Sequence, residues 1–261
     1  MKALILAAGF GTRLEKSFTS YEGPHREELQ EWVGNKPKGL VIIKGKPVIQ
    51  YQLEQLLEAG LQMKDIFVHT NARYFDHYLA WAISAGIPST QIFNNGALDN
   101  DHRLGSEGDL RYALQRIERD DTIVLASDTL LFEKNDKLFS LFSMLQNYQK
   151  DGIPRIIVYE GATEKLSRHG LVQVDQQEQV IGFQEKPAFP RSNLVNASVH
   201  IYTKKMIEAI LRSNLPARSE SGMVIASLYT SFPIKIERAH RRIDIGTVDD
   251  ILQENIGKNN L

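Results

Sequence analysis

The chain contains no cysteine. Disulfide frameworks and thiolate metal sites are therefore excluded, and the absence fits a reducing cytoplasm. It also lacks an excess of either charge: 31 Lys and Arg stand against 32 Asp and Glu, a formal net charge of -1. Such a balance leaves no electrostatic footprint for DNA or RNA, although local basic groups can still hold a small anion. No apolar run approaches the roughly 20 residues that span a bilayer. The first apolar stretch is short, without a basic region or cleavage site, and reads as a strand rather than a leader. Internal repeats, low-complexity tracts and a Pro/Ser-rich linker are missing too. What remains is one α/β domain over residues 1–261, 42% hydrophobic, expected in the cytoplasm without nucleic-acid or membrane partners.

The order of elements comes from periodicity. Lys2–Ala7, Gly39–Ile43, Asp65–Thr70, Gln91–Asn94 and Thr122–Ala126 read as strands. Val48–Ala59, Tyr74–Ala85 and Leu110–Arg119 read as helices; in the first, Ile49, Leu53, Leu56 and Leu57 recur at helical spacing before Gly60. This alternation predicts a mainly parallel sheet covered on both faces. The later residues change character. Arg155–Tyr159, Gly170–Val174, Val180–Gln184 and Val195–Tyr202 are strands with turn-like links, as in a mixed patch. Lys204–Arg212 and Val248–Asn255 read as helices and Ile234–Arg238 as a strand. Tyr74, Tyr78 and Trp81 fit either a homodimer face or, more commonly, a buried helix stripe.

The first strand runs straight into Leu6-Ala7-Ala8-Gly9-Phe10-Gly11-Thr12-Arg13-Leu14. Small residues keep this backbone bare, and Arg13 adds a fixed charge beside it. A dinucleotide-binding loop requires a third glycine, where Leu14 stands, and a P-loop requires Gly-Lys-Ser/Thr, which is absent. The segment matches Leu-x-x-Gly-x-Gly-Thr-Arg-Leu, the loop of nucleotidylyltransferases.

Further motifs follow in order: Lys36-Pro37-Lys38-Gly39-Leu40 with Gly45-Lys46-Pro47, Arg103-Leu104-Gly105-Ser106-Glu107-Gly108, Ser127-Asp128, Glu185-Lys186-Pro187, Asn196-Ala197-Ser198 and Asp244-Ile245-Gly246-Thr247. Taken together, they make the chain resemble the sugar-1-phosphate nucleotidylyltransferases nearly end to end. The resemblance implies a three-layer, Rossmann-like α/β fold with a predominantly parallel mixed sheet. A nucleotide half covers about residues 1–130 and a sugar-phosphate half about 131–261. The implied partners are a nucleoside triphosphate, with GTP favoured, and a hexose or heptose 1-phosphate. The implied products are a nucleotide sugar and pyrophosphate. No covalent nucleophile is needed; catalysis is positioning and charge neutralisation.

By that resemblance, Arg13 grips the triphosphate with the loop Leu6, Ala7, Ala8, Gly9, Gly11 and Thr12, and Lys38 lies across the loop. Gly105 and Gly108 pass flat against the base, and Glu107 is either a base acceptor or an ordinary solvated side chain. Lys186 binds the attacking phosphate, while Glu185, Asn196 and Gly170 serve the sugar. Asp128 and Asp244 hold Mg²⁺, a hard ion suited to carboxylate and phosphate oxygens. Asp249 is read as a helix cap.

Three departures touch specificity. Residues 15–35 are an extra stretch, read as a lid over the site or a surface decoration. Ser198 replaces the usual glycine. Arg241-Arg242 stand where many relatives carry an aromatic, which raises the idea of a second acidic group on the acceptor. No repeat of the kind that builds a β-helix follows the last motif. Rival readings are a cytidylyltransferase for phosphocholine or a polyol phosphate, and a nucleotide-sugar sensor without turnover.

Overall fold

The computed structural model describes residues 1–213 and 222–257, with Asp244 as backbone alone. In chain order, β1 (Lys2–Ala7) leads into α1 (Thr12–Thr19) and α2 (Arg26–Trp32). The short hairpin β2 (Ile42–Ile43) and β3 (Lys46–Pro47) precedes α3 (Val48–Glu58). Strand and helix then alternate: β4 (Ile66–Thr70), α4 (Phe75–Ser84), β5 (Ile92–Asn94), α5 (Gly105–Leu114) and β6 (Thr122–Ala126). Next come β7 (Thr129–Phe132), α6 (Leu141–Asp151), β8 (Arg155–Glu160), β9 (Gly170–Val174), β10 (Val180–Glu185) and β11 (Leu194–Tyr202). The remaining elements are α7 (Lys204–Arg212), α8 (Gly222–Leu228), β12 (Lys235–Arg238), β13 (Arg241–Asp244) and α9 (Val248–Asn255).

The sheet runs β10-β9-β11-β6-β1-β4-β5, with β8 joining β11 and β12. β6, β1, β4 and β5 are mutually parallel, whereas β11, β9 and β10 pair antiparallel. The sequence pattern explains the division. After Lys2, β1 is apolar throughout, so successive residues feed both faces. Ala3 and Ile5 enter one core with Leu53, Val68, Trp81 and Met144. Leu4 enters the other with Leu110, Leu114, Val124 and Ile207. The result is a mainly parallel mixed α/β sheet flanked by helices, as the motif order implied.

A third core lies outside the main sheet, where β7 and β13 pair as an antiparallel ribbon. Leu29 and Val33 are buried there with Val41, Ile43, Phe132, Ile243, Val248 and Ile251. This changes the reading of residues 15–35. Leu29 and Val33 anchor the stretch in this core and Ser17 Oγ accepts the amide of Val248 at 3.1 Å, while residues 22–28 are exposed as a surface decoration would be. Asn255 ties α9 to β2 from the other side, accepting from Lys44 N at 2.7 Å and donating to Ile42 O at 3.0 Å.

Other expectations shift locally. Gly39–Ile43 is not one strand; a tight turn over Lys38–Leu40 precedes a two-residue strand. The third helix begins at Gly105 rather than Leu110 and ends at Leu114. Tyr74, Tyr78 and Trp81 are 7%, 1% and 9% exposed, so their stripe faces inward and offers no dimer face.

Candidate active site

The parallel register builds the site's floor. Leu6 pairs with Ala126, so the chain leaves β1 and β6 at the same level. Ser127 N donates to Leu6 O at 2.9 Å, which sets Ser127-Asp128 beside the glycine loop. The loop's carbonyls are held from behind. Thr70 Oγ1 donates to Ala7 O, Asn71 Nδ2 to Ala8 O and the Tyr74 hydroxyl to Phe10 O. Among the described residues the amides of Gly9, Gly11 and Thr12 donate to no protein acceptor. Bare amides at a strand-to-helix junction are anion donors in waiting. A Cβ on Gly9 would meet nothing within 4 Å, because that side opens into the cavity.

Lys38 arrives from a different segment. Pro37 is extended and Gly39 follows in the tight turn. A Cβ on Gly39 would lie 2.8 Å from the Tyr78 hydroxyl and 3.0 Å from Ser127 Cβ, so only glycine lets this segment press onto Ser127. Lys38 then reaches Asp128 with Nζ–Oδ2 of 3.1 Å. Its stem passes over Gly11, where a Cβ would come within 3.3 Å of Lys38 Cγ and where φ is +65°.

Two cavities meet at this pair. A deep one of about 400 Å³ is lined by Leu6, Ala8, Gly9, Gly105, Asp109 and Leu110, among others. The second, about 520 Å³, is lined by Arg13, Lys165, Arg168, His169, Lys186 and Asp250. Both share Lys38, Asp128 and Arg242. Burial raises the Asp128 pKa, but Lys38 and Arg242 outweigh it and hold the carboxyl below the usual carboxylate range. Arg242 Nη2 stands 4.0 Å from Asp128 Oδ1. Arg241 faces the opposite way along β13, over the Phe132 ring and paired with Asp136 and Glu254. Strand alternation therefore delivers one arginine of the pair to the cavities.

The residues from β9 to β11 use unusual backbone. Lys186 has φ of +43° just before Pro187, a conformation L-residues adopt at a cost of about 1–3 kcal/mol. Its amide donates to His169 O at 3.0 Å, and its side chain lines the cationic cavity. Glu185 pairs with Gly170 across β10 and β9, and a Cβ on Gly170 would come within 3.0 Å of the Glu185 carboxylate. Gly170 is thus a close-packing position beside Glu185. Ser198 also has positive φ, +59°, at the irregularity between Asn196 and His200 in β11. Glycine adopts that conformation freely, which explains the residue type in the family motif.

Asn196 is buried in a network. His200 Nε2 lies 2.8 Å from Asn196 Oδ1, and Nδ1 lies 2.7 Å from the Tyr202 hydroxyl. Since Asn196 Oδ1 accepts, Nε2 carries the hydrogen and Nδ1 accepts from Tyr202. Burial drives the His200 pKa down to about 3 and raises that of Tyr202.

The remaining sequence-derived residues divide. Ala7 is in the core beneath the loop, and Thr12 opens α1. Gly105 begins α5 with φ of +81° and lines the deep cavity. Gly108 packs against Leu104 instead, where a Cβ would lie 3.0 Å from Leu104 Cβ. Glu107 is buried and turned toward Arg111 at 3.5 Å, so it is neither solvated nor at the cavity wall. Asp244 pairs by backbone with Thr129, next to Asp128, and its side chain lies outside the described residues. Asp249 is not the cap: Thr247 caps α9 and Asp250 closes the capping box. Sequence reasoning missed His200 and Asp109 and gave Tyr78 no place in the site; all three line the deep cavity, as does Arg103 of the loop motif. Asp109 stands just before the predicted helix Leu110–Arg119, and neither it nor His200 left a readable signal.

Comparisons with known proteins bear on the family and the fold. The chain is 28% identical over 97% of its length to a UTP--glucose-1-phosphate uridylyltransferase of Synechocystis sp., covering 62% of that protein. It is 29% identical over 80% of its length to the mannose-1-phosphate guanylyltransferase catalytic subunit beta of Drosophila melanogaster, covering 50% of it. The chain thus spans between half and two thirds of the length of these relatives. The crystal structure of an apo UDP-glucose pyrophosphorylase superposes with a TM-score of 0.71 at 20% identity, covering 98% of this chain and 97% of that one. With a family model matching residues 34–259, the chain belongs to the nucleotidyl transferase family.

Proposed function

We propose that the protein is a sugar-1-phosphate nucleotidylyltransferase, moving a nucleoside monophosphate from a triphosphate, GTP by preference, to a hexose or heptose 1-phosphate. One observation carries this reading: the free amides of the glycine loop and the cation-lined cavity meet at Lys38 and Asp128. Two anionic substrates need such a junction, where one phosphate is cradled by amides and the other is drawn in by fixed cations. In this reading the deep cavity takes the nucleoside, Gly9, Gly11 and Thr12 donate to the triphosphate, and Arg13 and Lys38 neutralise it. Lys186 aligns the attacking phosphate, and its left-handed backbone fixes the direction of the side chain. Glu185 and Asn196 are assigned to sugar hydroxyls through the family motif.

The donor set fits Mg²⁺. Asp128 keeps an ionised carboxylate at the junction, and the backbone places Asp244 next to it. Mg²⁺ uses one or two carboxylates and takes its other ligands from phosphate and water. Asp128 and Asp244 would hold the ion, which would supply charge neutralisation on the transferred phosphate.

The reading is tested by pyrophosphate release across four nucleoside triphosphates and a panel of sugar 1-phosphates, with and without Mg²⁺. Metal-dependent release with at least one pair is expected. No release from any pair would overturn it.

A further inference from the structure

Asp109 carries a charge into the deep cavity that no role above uses. Its side chain is 10% exposed and lies in the second turn of α5. Two donors converge on one of its oxygens: His69 Nε2 at 2.9 Å and Asn95 Nδ2 at 2.7 Å both reach Oδ1. His69 is itself fully buried, with the Phe93 and Tyr112 rings 5.4 and 5.2 Å away. The carboxylate is therefore fixed in orientation. Its other oxygen, Oδ2, accepts no hydrogen bond from any described residue. Oδ2 is not sealed from solvent: it keeps access to the cavity, where water or a ligand donor completes it.

We infer that Asp109 reads the nucleotide base through Oδ2, and that the base is one offering two adjacent N–H donors, as guanine does with N1–H and the 2-amino group. The inference rests on the nucleotidyl-transfer reading for the placement of the base, and it moves the base-reading role from Glu107 to Asp109. The other edges offer that oxygen fewer donors or adverse neighbours. A carboxylate oxygen only accepts. Uracil and thymine flank their single N3–H with two carbonyl oxygens, which a carboxylate repels. Cytosine and adenine set each amino group beside an acceptor ring nitrogen. Guanine alone presents two neighbouring donors to one acceptor.

The test is calorimetric titration of the full chain with GTP, ITP, UTP and XTP, without acceptor. ITP lacks the 2-amino group, so GTP is expected to bind about tenfold or more tightly than ITP or UTP, because a site built around a donor rejects the analogue without it. In Asp109→Asn the amide oxygen is held by His69 and Asn95, which turns the Nδ2 donor toward the cavity. That variant is expected to lose the GTP preference and to gain XTP, whose 2-oxo group accepts. A link that merely joined α5 to β4 and β5 would give no such exchange. Equal binding of GTP and ITP, tighter binding of UTP, or a folded Asp109→Asn with the wild-type GTP-to-ITP ratio would overturn the inference. If the variant does not fold, the wild-type ratio still decides. Tight GTP binding without pyrophosphate release would break the transferase reading and leave this one standing; release from UTP alone would do the reverse.

Discussion

The two cavities that share Lys38, Asp128 and Arg242 are walled by opposite means. The deep one is shaped by bare backbone, by Leu6, Leu110 and Val124, and by the register of parallel strands. The other is shaped by charge, with Arg13, Lys165, Arg168 and Lys186 around it. One left-handed residue, Lys186, stands in its wall, and a second, Ser198, stands in the wall of the deep cavity. One region selects by fit and can be ruined by a methyl group. The other selects by attraction and tolerates changes of shape, but not of sign.

The sharpest way to break that contrast is to remove charge at the junction and in the cationic cavity. Asp128→Asn and Lys186→Ala are each expected to lower pyrophosphate release by roughly 10²-fold or more, the loss typical of a preorganised electrostatic group. Circular dichroism should show the fold intact. Full turnover in Asp128→Asn would refute the metal assignment.

The next effect belongs to the wall between sheet and acceptor side. His200 is neutral in the fold, with its pKa depressed to about 3 from 6.5. Between those values the unfolded chain binds a proton that the folded chain does not. Its contribution to stability is thus complete above pH 6.5 and is lost as pH falls toward 3. The loss approaches about 1.4 kcal/mol per pH unit within that window. Urea unfolding of His200→Gln against wild type across the window should show a correspondingly shallower acid limb in the variant. Parallel limbs would refute the buried neutral state.

A methyl group tests the shape-built side. Gly39→Ala should destabilise by roughly 1–3 kcal/mol, since the added carbon would press on the Tyr78 hydroxyl and the Ser127 side chain. It should also weaken nucleotide binding by displacing Lys38. Unfolding midpoint and nucleotide affinity both check this. The smallest change is expected at Ser198→Gly. Relief of a left-handed residue, about 1–2 kcal/mol, is offset by glycine's backbone entropy of about 0.5–1 kcal/mol. Stability should rise slightly, which unfolding midpoints check; a fall would mean that the Ser198 hydroxyl, at the wall of the deep cavity, contributes more than its backbone conformation costs.

Much of the deep cavity's frame was legible, because it depends on local signals. Apolar runs announced β1 and β6, and the residues that follow them fell together once the strands were parallel. The anchoring of Leu29 and Val33 was not legible because their partners, Ile243, Val248 and Ile251, lie more than two hundred positions away. The α5 start was missed because Gly105 and Gly108 look like loop residues, although one begins the helix and the other packs against Leu104. Glu107 and Asp109 show the limit most clearly. Two residues apart on a helix, they face different surroundings, and no pattern in the sequence states which one turns to the cavity. By contrast α6 was overlooked despite readable ends, a Ser140 cap and a left-handed Gly152.

The clasp made by Asn255 has a consequence for how the molecule comes into being. It joins β2 to α9 across a separation of 213 residues. The β7–β13 ribbon likewise joins Phe132 to Arg241 and lies under the same helix. Contacts so distant in sequence are late and slow to form. During synthesis the glycine loop emerges first, yet the ribbon carrying Arg242 and Asp244 can close only after most of the chain has followed. A nascent chain should therefore present an open phosphate cradle long before it has a second substrate site, and competence for transfer should appear abruptly, at the docking of α9.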